Sequence, residues 1–126
     1  MKISKEKVCL ELVLNVERLK KNLAEFLKDE KLSEIVTISL KGKSQEADYM
    51  IVASGRSARQ IVAVSKKLIE ILKSQYGIFS RVEGLEGAFW VLVDAGDIVI
   101  HIFRPEVRDY YQLEKMWRIS SEVLLD

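Results

Sequence analysis

Cysteine, histidine and proline each occur once in this sequence, and their scarcity excludes whole classes of site. Cys9 has no partner cysteine, so the chain forms neither an internal disulfide nor a multi-cysteine zinc site. Such a sequence suits a reducing cytosol, and we expect a cytoplasmic protein. His101 lies in the middle of a β-type run, and no serine or cysteine has sequence support as its nucleophile. A hydrogen-bonded histidine within a sheet is therefore favoured over a general base.

The sequence also lacks an excess of charge of either sign and a long apolar run. Its 20 lysines and arginines nearly cancel its 19 aspartates and glutamates. No overall field therefore draws it onto phosphates, and direct nucleic-acid binding is not expected. The apolar run from Val8 to Leu14 is interrupted by Glu11 and has no small-residue cleavage site after it, which is a poor secretory signal. No run approaches a membrane span, so we expect no membrane association.

What is present is the composition of one ordinary globular domain. The chain has 126 residues, of which 48% are hydrophobic and 31% charged, and we assign residues 1–126 to a single domain. Apolar residues recur at three- and four-residue steps between Lys5 and Lys31, which predicts a helix that is firmest from Leu19 to Leu27. Apolar residues also alternate with period two between Val8 and Leu14, so a strand within the first fourteen residues is an alternative prediction. Residues 1–30 are accordingly an N-terminal, mostly helical extension.

Two β-branched runs and a capped helix follow this extension. The runs Glu34 to Leu40 and Asp48 to Ala53 predict strands, and the nearly unbroken apolar character of the second predicts a central strand that is buried on both faces. Ser57 followed by Gln60 is a capping-box pattern, and it predicts the start of a helix that Gly77 ends.

The stretch from Arg81 to Pro105 is predicted to form the centre of the fold. Glycine-containing gaps divide it into three short runs, which predicts an antiparallel meander whose later strands lie near Phe89 to Val93 and Ile98 to Phe103. A right-handed crossover would make its first strand, near Ile78 to Glu83, parallel to the earlier central strand. The predicted fold is α/β of the α+β type: a mixed five-stranded sheet with flanking helices.

Three sets of residues in or near this stretch have a possible functional role: the Asp94 and Asp97 pair, the turn after the second strand, and the segment after Pro105. Asp94 and Asp97 bracket a hairpin turn, where aspartates are more often turn formers than metal ligands. The turn Ser54-Gly55-Arg56-Ser57 is favoured as a helix cap over an anion site. After Pro105, which suits the first turn of a helix, aromatic and charged residues continue to about Trp117. They are equally compatible with a protein-binding surface and with Tyr110, Leu113 and Trp117 closing the core.

Four motifs in fixed order resemble the ribosomal silencing factor family, RsfS or Iojap. They read ADYMIVASGRS at 47–57, EGLEG followed by WVLVD at 83–94, VIHIFR at 99–104 and RDYYQLEKMW at 108–117. The resemblance covers roughly residues 31–117. It implies a nucleotidyltransferase-like topology without enzymatic activity or a cofactor. It also implies docking on the fourteenth protein of the large ribosomal subunit, where the small subunit would join, and repression of translation by steric exclusion.

The resemblance and the residue types together give an expected partner-binding surface. Aromatic and apolar side chains would anchor it, while acidic side chains would face lysines and arginines of a basic ribosomal protein. The expected residues are Glu83, Trp90, Asp94, Asp97, Tyr110, Tyr111, Leu113, Glu114 and Trp117. An exposed apolar surface of this kind also predicts a weak homodimer in the free state.

Two rival functions use other residues. The first is a nucleotide-binding or nucleotidyltransferase-like enzyme that uses Ser54, Gly55 and Asp94, although the strands that follow carry no closely spaced Asp-x-Asp pair to hold catalytic metal. The second is direct binding of ribosomal RNA, with an affinity that falls steeply with salt. Its basic residues would be Lys41, Lys43, Arg56 and Arg59.

Overall fold

The computed structural model describes residues 5–113 and 115, with side chains from residue 15 onward. Three helices and five strands alternate irregularly along this part of the chain. They are α1 (Lys5–Asp29), β1 (Ser33–Ser39), β2 (Tyr49–Ser54), α2 (Ala58–Tyr76), β3 (Arg81–Glu83), β4 (Trp90–Asp94), β5 (Ile98–Phe103) and α3 (Pro105–Tyr111). Among these described helices, none combines the length and the apolar character that crossing a bilayer requires.

The five strands form one mixed sheet in the order β1-β2-β5-β4-β3, which confirms the predicted fold class. Strands β2 and β5 are parallel, and every other neighbouring pair is antiparallel, including the predicted meander of β3, β4 and β5. Strand β3 runs in the same direction as β2, as predicted, but two strands separate them. The six apolar-rich residues of β5 suit the central position beside β2, whereas the three-residue β3, with Arg81 and Glu83 exposed, suits an edge.

Both long helices cover the same face of the sheet. Helix α1 is helical from Lys5, so the strand alternative for the first fourteen residues is not adopted. Its Leu23 and Leu27 are buried together with Leu68 and Leu72 of α2 against strand residues such as Ile100. Each fully buried leucine of this kind contributes roughly 1.5–3 kcal/mol through the removal of apolar surface from water. These contacts fix the helical layer on the sheet.

The opposite face of the sheet carries a second, smaller cluster. Side chains alternate across a strand, so Met50, Val52 and Phe103 point away from α1 and α2. Val107 and Leu113, from α3 and the residues after it, pack against this cluster. All six residues of β2 are buried, which confirms the prediction of a central strand covered on both faces.

The predicted ends of α2 are confirmed, with one variation. Ser57 Oγ accepts a hydrogen bond from the Gln60 amide at 3.1 Å, as a capping residue does. The side chain of Gln60 accepts from the Arg56 amide at 2.9 Å, one residue earlier than a reciprocal capping box requires. Gly77 ends the helix in the left-handed region with φ of 66°.

Helix α3 is the first part of the predicted helical segment. It begins at Pro105 as expected, but it ends at Tyr111 because Gln112 adopts the left-handed conformation with φ of 48°. The Gln112 amide donates to the Arg108 carbonyl oxygen at 2.8 Å, and the backbone is again helical at Leu113. The predicted end at Trp117 lies outside the described residues.

Candidate docking surface

Four aromatic rings meet where β4 begins, β5 ends and α3 follows. Trp90 is paired with Phe103 in the sheet, and their rings stack with centroids 4.8 Å apart. Tyr111 of α3 lies beside Trp90, with ring centroids 5.0 Å apart. Tyr110 contacts Tyr111 edge to face, with ring centroids 5.1 Å apart. We call these four residues the aromatic ridge. It lies on the sheet face opposite α1 and α2.

The ridge runs from the core to the surface. Phe103 is fully buried and Trp90 is half-buried, while Tyr111 is 49% and Tyr110 82% exposed. Aromatic pairs of this geometry contribute about 0.5–1.5 kcal/mol beyond the area they bury. The buried rings therefore hold the exposed tyrosines in place, and each tyrosine presents a large apolar surface with a polar tip, as residues at protein interfaces do.

His101 supports the ridge from within the sheet. The Trp90 indole Nε1–H donates to His101 Nδ1 at 2.9 Å, and the histidine is only 9% exposed. Burial lowers the pKa of His101 from 6.5 to about 4, so the ring is neutral near pH 7. Because Nδ1 accepts, the proton of the neutral ring is on Nε2. The preferred interpretation of His101 as a hydrogen-bonded sheet histidine is confirmed.

The acidic residues of the expected surface lie at a distance from the ridge. Asp94 ends β4, four residues from Trp90 and so roughly 13 Å along the strand. Its Oδ1 accepts a hydrogen bond from the Gly96 amide at 2.9 Å, which confirms its role in the turn. Asp97 is exposed in that turn, and Glu83 is exposed on the edge strand opposite Leu92. Glu83, Trp90 and Asp94 nevertheless share one sheet face, because residues paired or two apart point the same way.

Of the remaining expected residues, one packs against the core and two lie outside the described residues. Leu113 is half-buried and packs against the cluster around Phe103, so part of its surface helps to seat α3. Its contribution to partner binding stays a prediction. Glu114 and Trp117 lie outside the described residues. Sequence reasoning placed Phe103 and His101 in the sheet but did not include them in the surface, because their contacts with Trp90 depend on strand pairing.

Residues of the turn after β2 make hydrogen bonds and packing contacts with other parts of the protein. Ser54 Oγ accepts a hydrogen bond from Arg108 Nη1 at 2.8 Å, and the Gly55 amide donates to the Phe103 carbonyl oxygen at 2.8 Å. A Cβ added at Gly55 would lie 2.4 Å from Ile61 Cγ1, so close packing of α2 against the strand explains the glycine. These contacts support the capping interpretation of the turn. Ser54 and Gly55, which the nucleotide-binding alternative would use, are therefore already hydrogen-bonded within the protein.

The four basic residues of the RNA-binding alternative are not brought together. Lys41 follows β1 near the start of β2, whereas Arg56 and Arg59 follow the end of β2, roughly 20 Å away along a six-residue strand. Lys41 Nζ instead lies 3.7 Å from Glu17 Oε1. The pKa of Lys41 is raised, first by a hydrogen bond with Tyr49. Lys41 therefore belongs to a local polar network at the other end of the sheet.

Among the described side chains, those of residues 15–113 and 115, no three from histidine, cysteine, aspartate and glutamate are grouped so that they could hold an ion. In the pair that suggested a two-carboxylate site, Asp94 Oδ1 accepts a hydrogen bond from the Gly96 amide, and the backbone carbonyl oxygen of Asp97 accepts from the amides of Asp48 and Tyr49.

The sequence is similar to known proteins along most of its length. The sequence model of the family described as "Ribosomal silencing factor during starvation" matches residues 14–126, which extends the similarity beyond residues 31–117 in both directions. The chain is 53% identical over 106 residues to ribosomal silencing factor RsfS of Zymomonas mobilis, covering 84% of this chain and 80% of that protein. It is 32% identical to a mouse protein named "Mitochondrial assembly of ribosomal large subunit protein 1", covering 79% of this chain and 45% of the mouse protein.

Comparison with solved structures gives the same result. A crystal structure of a protein from Chromobacterium violaceum superposes with a TM-score of 0.73 at 39% identity, covering 79% of this chain and 84% of that one. A crystal structure from Bacillus halodurans superposes with a TM-score of 0.72 at 36% identity, covering 80% of this chain and 94% of that one. With the family match spanning nearly the whole chain, this protein belongs to the ribosomal silencing factor family.

Proposed function

We propose that this protein represses translation by binding the large ribosomal subunit through its fourteenth ribosomal protein. Bound there, it would occupy space that the small subunit needs, and the two subunits would fail to join. No bond is made or broken in this mechanism. The protein would act in the cytoplasm as a non-enzymatic factor without a cofactor.

The observation that carries the proposal is the exposure of Tyr110 and Tyr111 at the outer end of the aromatic ridge. Large aromatic residues that remain exposed beside a packed core are typical of residues that dominate binding energy at protein interfaces. Here they are held from below by Trp90 and Phe103. A partner would therefore meet a surface that is already formed, which lowers the cost of ordering it on binding.

Charge supports a basic protein as the partner. Glu83 and Asp97 are exposed and Asp94 is half-buried on or beside the face that carries the ridge. Acidic groups on the same face, at a distance from the ridge, favour a partner that presents lysines and arginines, and they increase the rate of encounter. A ribosomal protein has that character more often than most proteins, because it must also bind RNA phosphates.

The name of one relative supports the large subunit. The mouse relative is named for assembly of the ribosomal large subunit. Steric exclusion is also reasonable for a domain of this size, since 126 residues fold with a radius of gyration of about 14 Å. A body of that size, docked where the small subunit joins, would keep the two subunits apart.

Co-sedimentation with isolated large subunits tests the proposal. We expect the purified protein to pellet with large subunits at near-physiological salt and to reduce the yield of joined ribosomes when it is in excess over them. Small subunits added first should compete. Normal subunit joining at saturating protein would contradict the mechanism, and failure to pellet would contradict the binding step.

Self-association is a separate expectation of the same surface. If free molecules bury the ridge against one another, light scattering should show a weak dimer that dissociates on dilution. Tyr110→Ala should shift that equilibrium toward monomer. A strictly monomeric protein at high concentration would remove this expectation and leave subunit binding untouched.

A further inference from the structure

We infer that Arg108 is the positioning residue that fixes α3, and with it the exposed end of the aromatic ridge, in the geometry that docking needs. The inference deepens the proposed function and rests on it. Arg108 acts from inside the protein: it is 5% exposed and does not itself present a surface to a partner. Its role is to attach a short helix to the end of β2 and the start of β1, at the same end of the sheet as the end of β5.

Helix α3 has little stability of its own. It has seven residues, and its N-cap residue Arg104 makes no side-chain capping hydrogen bond within the described chain. Isolated helices shorter than about 12–15 residues are marginal in water, because nucleation fixes several backbone angles for a single hydrogen bond. The orientation of Tyr110 and Tyr111 must therefore be set by tertiary contacts of α3.

Arg108 supplies such contacts to two distant places in the chain. Its Nη1 donates to the carbonyl oxygen of Glu34 at 2.7 Å and to Ser54 Oγ at 2.8 Å. These acceptors are 74 and 54 positions away in sequence. Glu34 Oε2 lies a further 3.9 Å from the same nitrogen. Hydrogen bonds from a charged donor contribute about twice as much as neutral ones, so these bonds hold the helix firmly.

The sheet is shaped to receive this side chain. The pairing of β1 with β2 shifts register between Ser33 and Val36, and Glu34 in this bulge has a positive φ of 49°. Bulges re-aim backbone and side-chain groups, and non-glycine residues are uncommon at such φ values. Because Ser33 is paired with Ser54, the irregularity brings the Glu34 carbonyl oxygen beside the Ser54 hydroxyl. A strained backbone position and a buried serine thus form one acceptor site for the guanidinium group.

The test compares Arg108→Met with wild type and with Arg59→Met, which removes an exposed arginine on the other side of the sheet. We expect Arg108→Met to weaken binding to large subunits at least tenfold and Arg59→Met to change it less than twofold. Hydrogen exchange should show lost protection in α3 and preserved protection in α2 and the central strands. Ser54→Ala, which removes one acceptor, should weaken binding about threefold and serves if Arg108→Met does not fold.

A double-mutant cycle separates positioning from a merely structural role. If Arg108 acts through the ridge, Tyr110→Ala should cost much less in the Arg108→Met background than in wild type. Full additivity would overturn the inference, as would wild-type binding by Arg108→Met with α3 protection lost. If the wild-type protein itself fails to bind large subunits, the proposed function fails instead, so the two failures are distinguishable.

Discussion

At the scale of single residues, neighbouring side chains of the ridge have different roles. Tyr110 is almost fully exposed and touches the rest of the ridge only through Tyr111. Trp90 stacks on buried Phe103 and donates to His101, so its loss would disturb both the fold and the surface. Tyr110 is therefore the residue at which the proposed binding can be tested with little effect on stability.

We expect Tyr110→Ala to raise the dissociation constant for large subunits about 30-fold, which corresponds to about 2 kcal/mol for a residue at the centre of an interface. Its free energy of unfolding should stay within about 0.5 kcal/mol of wild type, as for other surface substitutions. Phe79→Ala is the matched control, because Phe79 is 80% exposed but lies in the connection between α2 and β3. Equal losses for both variants, measured by titration, would show that the ridge has no special part in binding.

The buried His101 predicts a dependence of stability on pH. Its pKa is about 4 in the folded protein and near 6.5 when unfolded, so the unfolded chain binds the extra proton between these values. Stability is fully present above pH 6.5 and is lost as the pH falls toward 4. The loss attributable to this residue is about 2 kcal/mol at pH 5.

Urea unfolding at pH 7.5 and pH 5 should show this loss in wild type and not in His101→Gln, which keeps an acceptor for Trp90 but does not titrate. The chain has one histidine, so its NMR titration is unambiguous. A midpoint near 6.5 in the folded protein would contradict the buried, neutral ring.

At the scale of elements, the turn that joins β2 to α2 is closely packed at Gly55. Gly55 lies under Ile61, a fully buried residue of the first turns of α2, and its amide is bonded to Phe103 at the end of β5. The same turn therefore joins the helical layer to the strand that carries part of the ridge. Any side chain at Gly55 must displace α2 or the strand.

Gly55→Ala should lower the free energy of unfolding by about 1–3 kcal/mol, because its methyl group would overlap Ile61. Gly87→Ala is a suitable control: its added Cβ would meet only the ring of the exposed Phe89, at 3.1 Å. Urea denaturation of the two variants measures the difference. If both substitutions are tolerated equally, the close approach of α2 at Gly55 is not a determinant of stability.

At the scale of the whole molecule, a net charge of +1 leaves any electrostatic steering to local groups of charge. Glu83, Asp94 and Asp97 lie on or beside the ridge-bearing face, together with exposed Arg81, which is paired with Asp94. Charges at the rim of an interface change the rate of association more than the rate of dissociation. If the three acidic side chains lie at the rim of the proposed interface, they predict electrostatic steering toward a basic partner.

Neutralising the three acidic residues as Glu83→Gln, Asp94→Asn and Asp97→Asn tests this steering. The association rate with large subunits should fall about three- to tenfold at low salt, with the dissociation rate nearly unchanged. Asparagine at position 94 retains an acceptor for the Gly96 amide, so the turn is kept. The difference should shrink above about 0.1 M salt, where charges more than about 10 Å apart are screened. A variant that binds as fast as wild type at low salt would contradict the steering.

The elements that sequence analysis placed correctly are those whose causes are local. Ser57 caps α2 and Gly77 ends it because both act on backbone groups within a few positions. The apolar run of β2 and the glycine-separated meander likewise depend on short-range pattern. Local pattern also limited what was found, since the end of α3 at Gln112 follows from a left-handed residue that no periodicity marks.

Four features of the site were decided by tertiary structure alone. Each of them depends on contacts between residues that are not neighbours in the sequence. They are the parallel pairing of β5 with β2, the hydrogen bond between Trp90 and His101, the stacking of Trp90 on Phe103 and the burial of Arg108. Their energies depend on which strands become neighbours and on which charge finds a buried acceptor. The sequence by itself determined the chain's elements and its family motifs; folding decided which of those residues meet, because contact across a sheet is set by register and not by spacing along the chain.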